Sequence, residues 1–247
     1  MSVHVAVTGA RGRLGSLVCE VIESHPGFSL GAQLSSASGP DSGAEDAVLF
    51  DVSHPDASPE IVERALRRGQ RVIVGTSGWS AERLDRLQAL VEEIPGSAVL
   101  VVPNFSLGSV IGTVLARVAA PYFHSVEIVE AHHPAKVDSP SGTAVRTAEL
   151  IAEARGGEPI DAPYAEQAAR GQLIAGVPVH SLRLAGVIAR QEVRFGGAGE
   201  VLTITHDTHS NDAYRAGIRA ALESIVDLHG LVIGLETVLG IAADPRA

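Results

Sequence analysis

The sequence predicts an α/β protein with a doubly wound, Rossmann-like parallel-sheet nucleotide domain and a second, α+β domain with a mostly antiparallel sheet. Three observations carry this. Short aliphatic runs alternate with longer amphipathic stretches through the first hundred residues, three spaced glycines follow the first run, and three β-rich stretches crowd residues 178–206. Val3–Thr8 (VHVAVT) reads as a buried strand and residues 14–24 as the helix after it. Phe28–Leu34 is a second strand, and residues 47–52 are a third that stops at the turn signal Ser53-His54-Pro55. Residues 60–68 and Ala81–Glu93 have apolar positions at helical spacing, with the β-branched run Arg71–Val74 between them. Residues 99–102 form one more aliphatic strand, closed by Pro103.

After Asn104 the pattern changes. Leu107–Ala119 is helical in spacing, residues 126–131 read as a strand, and residues 141–153 as a helix. The stretches VHSLRLAGVIA, QEVRF and EVLTITH follow, with the turn Gly196-Gly197-Ala198-Gly199 between the last two. Such a meander exposes edges that another subunit is expected to cover. Residues 211–228 look helical again, with Asn211 or Asp212 as N-cap and Gly230 as a stop. Residues 155–176, rich in Gly, Ala and Pro, are expected to be a mobile loop.

The chain has 247 residues, 45% of them hydrophobic and 19% charged, enough for a substantial core and unlike a disordered or fibrous protein. Nineteen basic against 29 acidic residues give a net charge of −10, which repels phosphate backbones and anionic lipid, so no nucleic acid and no membrane partner is expected. No apolar run approaches a membrane span, and Met1 leads directly into a strand pattern rather than a signal peptide. The lone Cys19 fits a reducing, cytoplasmic compartment and has the bland role of a small core residue.

In TGARGRLG, Gly9, Gly12 and Gly15 lie between the first strand and the first helix. Glycines there let the backbone turn and approach a pyrophosphate, whose charge the helix N-terminus stabilises. Cofactor preference is read at the end of the second strand, where a carboxylate favours NADH and a basic residue NADPH. Gln33-Leu34-Ser35-Ser36 carries neither charge. Hydroxyls there, with Arg11 and Arg13 nearby, favour NADPH slightly, with NADH tolerated. Gly75-Thr76-Ser77-Gly78 and Val102-Pro103-Asn104-Phe105-Ser106 close two further strands where a nicotinamide ring could rest, although ordinary turns share that composition.

The most informative stretch is EAHHPAKVDSPSGTA, residues 130–144. Two histidines leave a strand, a lysine follows in a loop interrupted by Pro134 and Pro140, and Ser-Gly-Thr opens a helix. Histidine is the side chain most easily poised for proton transfer near neutral pH, and Lys136 supplies both charge and a proton. Ser141, Gly142 and Thr143 present N–H and hydroxyl donors at a helix N-terminus, suited to a carboxylate. Asp138 either caps that helix or orients Lys136. No CxxC or HExxH accompanies the histidines, so no metal is expected. His206 and His209, in HDTH, read as a solvated strand end.

The segment matches the ExHHxxKxDxPSGTA pattern and so resembles 4-hydroxy-tetrahydrodipicolinate reductases, also called dihydrodipicolinate reductases. GARGRLG, SHPD at 53–56, GTSGW at 75–79, PNFSLG at 103–108 and LAGVIARQEVRFG at 184–196 extend the resemblance over nearly the whole chain. It implies NADPH- or NADH-dependent reduction of a small dicarboxylate heterocycle in diaminopimelate and lysine biosynthesis, by a cytoplasmic homotetramer. It further implies that His132 is the catalytic proton donor or acceptor and Lys136 a second proton donor, and that His133, Gly142 and Thr143, with Ser141, contact substrate. Cofactor contacts would be Gly9, Ala10, Arg11, Gly12, Arg13 and Leu14, then Ser35, then Gly75, Thr76 and Ser77, then Val102, Pro103, Asn104 and Phe105. Ser35 departs from the acidic or acid-then-basic pair many relatives carry there. The expected domains are 1–105 with 216–247 for the dinucleotide and 106–215 for substrate and oligomerisation, closing over the substrate. Two other readings fit the glycine loop but not the HisHis segment: an amino-acid or opine-type dehydrogenase, and a non-catalytic dinucleotide sensor.

Overall fold

Hydrogen bonding between short aliphatic strands organises residues 2–39 and 42–241, which the computed structural model describes, into two units. Unit 1 comprises residues up to Ser106 and Tyr214–Gly240, and unit 2 runs from Leu107 to Ala213. Residues 242–247 of the expected C-terminal segment lie outside the described residues.

Unit 1 holds β1 (Val3–Thr8), α1 (Arg13–Glu23), β2 (Phe28–Leu34), β3 (Val48–Asp51), α2 (Ser58–Arg67), β4 (Arg71–Val74), α3 (Ala81–Glu93) and β5 (Ala98–Val101). The chain returns with α6 (Arg215–Ile225), β11 (Gly230–Ile233) and α7 (Leu235–Val238). Its strands pair in the order β11-β5-β4-β3-β1-β2, and every pair is parallel. Parallel strands covered by helices on both faces are apolar throughout, which is why VLFD and AVLV are fully buried. Leu49, Val62, Leu66, Val72, Val74, Leu87 and Val99 form one core beneath α2 and α3. Arg71 fastens α6 by donating through Nη1 to the carbonyls of Ile225 and Leu228 at 2.9 and 2.6 Å.

Unit 2 holds α4 (Leu107–Ala119), β6 (Ser125–His132), α5 (Gly142–Ala154), β7 (Gln172–Ile174), β8 (Val177–Arg183), β9 (Ala189–Gly197) and β10 (Glu200–Thr208). Its sheet order is β10-β9-β6-β8-β7; only β6 and β8 pair in parallel, and the other pairs are antiparallel. Val126, Ile128, Val193 and Phe195 pack with Ala116, Ala148 and Ile151 of the helices.

The structure corrects several expectations. The helix expected over 211–228 begins as a 3₁₀ turn at Asn211–Tyr214, α6 starts only at Arg215, and neither Asn211 nor Asp212 caps it. Gly230 opens β11 instead of ending a helix; its φ of +72° turns the chain into that strand. The β-rich stretch VHSLRLAGVIA is divided by Gly186, which at φ +85° makes a turn between β8 and β9. The expected loop over 155–176 contains β7, which pairs with β8.

Candidate active site

Residues two apart on a strand project to the same face, and so β6 brings Glu130 and His132 together at its carboxyl end. Nδ1 of His132 lies 2.6 Å from Oε2 of Glu130. An ionised carboxylate only accepts, so Nδ1 carries the proton and Nε2 is the nitrogen left for proton exchange. Glu130 is 0% exposed. Arg183, in register with His132 on β8, donates through Nη1 to both Glu130 oxygens at 3.0 and 3.1 Å and through Nη2 to Oε1 at 3.0 Å. The Ser141 N–H adds a bond to Oε1 at 3.3 Å.

Burial pushes the Glu130 carboxyl up, but hydrogen bonds from Ser181, His132 and Arg183 outweigh it and hold the group below the ordinary 4.5. His132 sits below its ordinary 6.5. Burial is the largest cause; the charges of Lys136 and Arg183 add to it, and Glu130 opposes it. A depressed imidazolium is a stronger acid, suited to giving up a proton.

The loop after β6 is tied to the same arginine. Arg183 donates to the carbonyls of Lys136 at 3.3 Å and Asp138 at 2.5 Å, and the Lys136 N–H closes a turn onto the His133 carbonyl at 3.1 Å. Lys136 Nζ stands 2.8 Å from Asp138 Oδ1. Burial raises the Asp138 carboxyl, yet the hydrogen bond and charge of Lys136 bring it below 3.8. Of its two expected roles, Asp138 therefore takes the pairing with Lys136. The cap falls to Ser141, whose Oγ accepts from the Ala144 N–H at 3.2 Å. Gly142 opens α5 exposed, and a Cβ added there would meet nothing within 4 Å. An imidazole, an ammonium and an open helix N-terminus thus share one short segment, a combination able to hold carboxylates and deliver protons.

Unit 1 gathers the other predicted residues. Because β1 is flanked by β2 on one side and β3 on the other, the sheet's switch point lies beyond the carboxyl ends of β1 and β3, where such folds bind ligands. Gly9 turns there at φ +74°, and a Cβ on it would lie 2.2 Å from the Val52 carbonyl oxygen. A Cβ on Gly15 would lie 2.1 Å from the Gly9 oxygen, and one on Gly75 2.6 Å from the Phe105 ring. Gly12 is the N-cap of α1 and makes no side-chain cap bond, leaving backbone donors of the first turn for an anion, with Arg11 and Arg13 beside them. This loop fits a dinucleotide's pyrophosphate. The Gly9 N–H donates to the Leu34 carbonyl at 3.0 Å, which places Ser35 next to the loop; its hydroxyl accepts from Ala37 N–H at 3.3 Å.

Asp51, 0% exposed at the end of β3, organises these loops. It accepts from the hydroxyls of Thr8 at 2.6 Å, Ser53 at 2.5 Å and Thr76 at 2.8 Å, and from Ser58. The Thr76 hydroxyl is thereby committed to the protein. Val102 and Phe105 are buried, at 2% and 3% exposure, Phe105 against Phe50; Ala10 is also buried, and Ser77 is exposed. Asn104 Oδ1 accepts from the Ser106 N–H at 2.9 Å.

Sequence reasoning assigned no role to Glu130, Arg183 or Asp51. A carboxylate two residues before a strand-end histidine, and an Asp closing a wholly apolar strand, were the available signals. His206 is also not a solvated strand end: it is half-buried against Gly108, where a Cβ would lie 2.7 Å from its ring, and burial lowers its pKa. Among the described residues no group of three or more His, Cys, Asp or Glu could hold a metal ion.

A doubly wound parallel unit with a glycine-built switch-point loop, joined to an α+β unit carrying an acid–base segment, defines a reductase of the dinucleotide-binding class. The same architecture occurs in apo scyllo-inositol dehydrogenase from Lactobacillus casei, with a TM-score of 0.62 over 100% of this chain and 94% of that one; at 13% identity the likeness is one of fold. Residues 3–105 match the family described as Dihydrodipicolinate reductase, N-terminus, and residues 108–239 its C-terminus. The chain belongs to the dihydrodipicolinate reductase family. It is 48% identical to the 4-hydroxy-tetrahydrodipicolinate reductase of Clavibacter michiganensis subsp. michiganensis over 97% of this chain and 87% of that protein. The Streptomyces coelicolor enzyme of the same name is 44% identical, over 94% and 96% of the two chains. A dipicolinate-bound dihydrodipicolinate reductase from Paenisporosarcina sp. TG-14 superposes with a TM-score of 0.81 at 31% identity, covering 96% of this chain and 99% of that one.

Proposed function

We propose that this chain catalyses the NAD(P)H-dependent reduction of 4-hydroxy-tetrahydrodipicolinate (dihydrodipicolinate) to tetrahydrodipicolinate, in the diaminopimelate route to lysine. The observation that carries this reading is the folded EAHHPAKVDSPSGTA segment, which sets His132, Lys136 and the N-terminus of α5 along one short stretch of chain. The relatives' activity and the dipicolinate held by the Paenisporosarcina protein support the same substrate class.

A reduced nicotinamide supplies the hydride. The chain's own residues do the rest. His133, the Ser141 hydroxyl and the donors of Gly142 and Thr143 hold the substrate carboxylates at a helix N-terminus; the Ser141 N–H is already committed to Glu130. Lys136 balances their charge, its geometry set by Asp138. Negative charge builds on the ring as hydride arrives, so a proton from His132 Nε2 or Lys136 Nζ stabilises the transition state more than the ground state. Gly9, Ala10, Arg11, Gly12, Arg13 and Leu14 take the pyrophosphate, Gly75, Thr76 and Ser77 with Val102, Pro103, Asn104 and Phe105 line the nicotinamide end, and Ser35 faces the adenosine ribose.

The uncharged Ser35 with Arg11 and Arg13 favours NADPH slightly over NADH. The same reading makes the protein a cytoplasmic homotetramer. Its lone cysteine, Cys19, is buried and free, and the sheet of unit 2 carries exposed Leu182 and Val201. Light scattering at four times the 25.6 kDa chain mass checks the tetramer. A coupled assay with synthase-generated substrate and each cofactor in turn tests the activity. Oxidation of NADPH, and more slowly of NADH, is expected; no turnover with either, alongside tight NADPH binding, contradicts it.

A further inference from the structure

We infer that the Glu130–Arg183 pair is the positioning device of the acid–base site, fixing His132 as the Nδ1–H tautomer with Nε2 directed to proton transfer. This rests on the reading of His132 as a proton donor and adds the residues that prepare it. Glu130 lies in the last turn of the pleat on β6, wholly buried, with its Oε2 2.6 Å from His132 Nδ1. A neutral histidine in water prefers the other tautomer, so a buried acceptor at Nδ1 decides which nitrogen faces the reaction. An ionised carboxylate has no proton to offer the ring and so can only accept from Nδ1. Arg183 keeps Glu130 ionised, with three contacts of 3.0 to 3.1 Å to the two carboxylate oxygens. The same guanidinium donates to the carbonyls of Lys136 and Asp138, so one side chain sets both the imidazole and the loop bearing the ammonium. A base or acid oriented by a third group is the general logic of such assemblies.

The charged groups facing His132 are Glu130, Lys136 and Arg183, with Asp138 paired to Lys136. Glu130, bonded to the ring, gives the imidazolium its main support, and Asp138 adds a weaker attraction. Glu130→Gln keeps the shape and removes that support. We expect the basic limb of the kcat–pH profile to move down by about one pH unit or more, as loss of an opposite charge at this range does, with kcat at neutral pH reduced at least tenfold and KM little changed. Glu130→Asp, which keeps the charge but draws it back, should fall between the two. Imidazole nitrogen NMR of the full protein should show His132 as Nδ1–H in the wild type and as the Nε2–H form in Glu130→Gln. If Glu130→Gln does not fold, the intermediate pH limb and a mixed tautomer in Glu130→Asp carry the test. An unmoved limb and an unchanged tautomer in the folded variant overturn the inference. His132→Gln separates the two claims: retention of near-normal kcat and of the basic limb there defeats the proton-donor reading, whatever Glu130 does to the tautomer.

Discussion

Gly142 shows how one residue separates fold from function. It is the first residue of α5, exposed, and a Cβ there would touch nothing. Glycine in a helix is less stable than alanine by up to about 1 kcal/mol. The fold alone does not require glycine there, whereas a ligand seated on the helix N-terminus, as proposed, would. Gly142→Ala should leave the Tm unchanged or raised while increasing KM for the dicarboxylate substrate several-fold; an unchanged KM in saturation kinetics would remove Gly142 from the substrate site. Roles for His132, His133 and Lys136 can be proposed from sequence because their chemistry is concentrated in one run of it. Those of Glu130 and Arg183 cannot, because each depends on the pairing of β6 with β8 across 53 residues. Single-sequence spacing carries no such register.

At the scale of elements, the loops at the carboxyl ends of β1, β3 and β4 behave as one structure because Asp51 holds a hydroxyl from each. Asp51→Asn replaces a charged acceptor with a group that also donates towards those hydroxyls. It should cost about 1–3 kcal/mol in urea unfolding and weaken NADPH binding in a fluorescence titration. Unaltered affinity in a folded variant would show that the loops keep their form without the carboxylate. Gly9→Ala forces both a positive φ and a Cβ 2.2 Å from the Val52 oxygen, and should damage cofactor binding more than Gly12→Ala, whose nearest contact is 3.2 Å. The parallel unit could be read from sequence because strands buried on both faces are aliphatic runs. The turn at Gly186 and the strand at Gly230–Ile233 could not: LAGVIA is as apolar as a strand, and a glycine that turns into a strand looks like one that ends a helix.

Across the whole molecule, the resolved ionisation shifts of carboxyl and imidazole groups at the active site and the unit 2 sheet point the same way. Glu130, Asp138 and Glu192 are held below their ordinary 4.5, 3.8 and 4.5, and His132 and His206 below 6.5. In each case the unfolded chain binds protons that the folded chain resists, so these groups stabilise the fold above their unfolded values and lose that contribution as pH falls through the folded ones. The urea midpoint should fall first as pH drops below about 6.5, from the histidines, and again below about 4.5, from the carboxylates. Greater stability at pH 5.5 than at pH 7.5 would contradict this. The most direct test of the account is steady-state kinetics of His132→Gln and Lys136→Ala with the dicarboxylate substrate and NADPH, alongside the cofactor Kd of each. Both should lose about 10²–10⁴-fold in kcat with the Kd nearly unchanged; a kcat close to the wild-type value in either variant would contradict that residue's place in the chemistry.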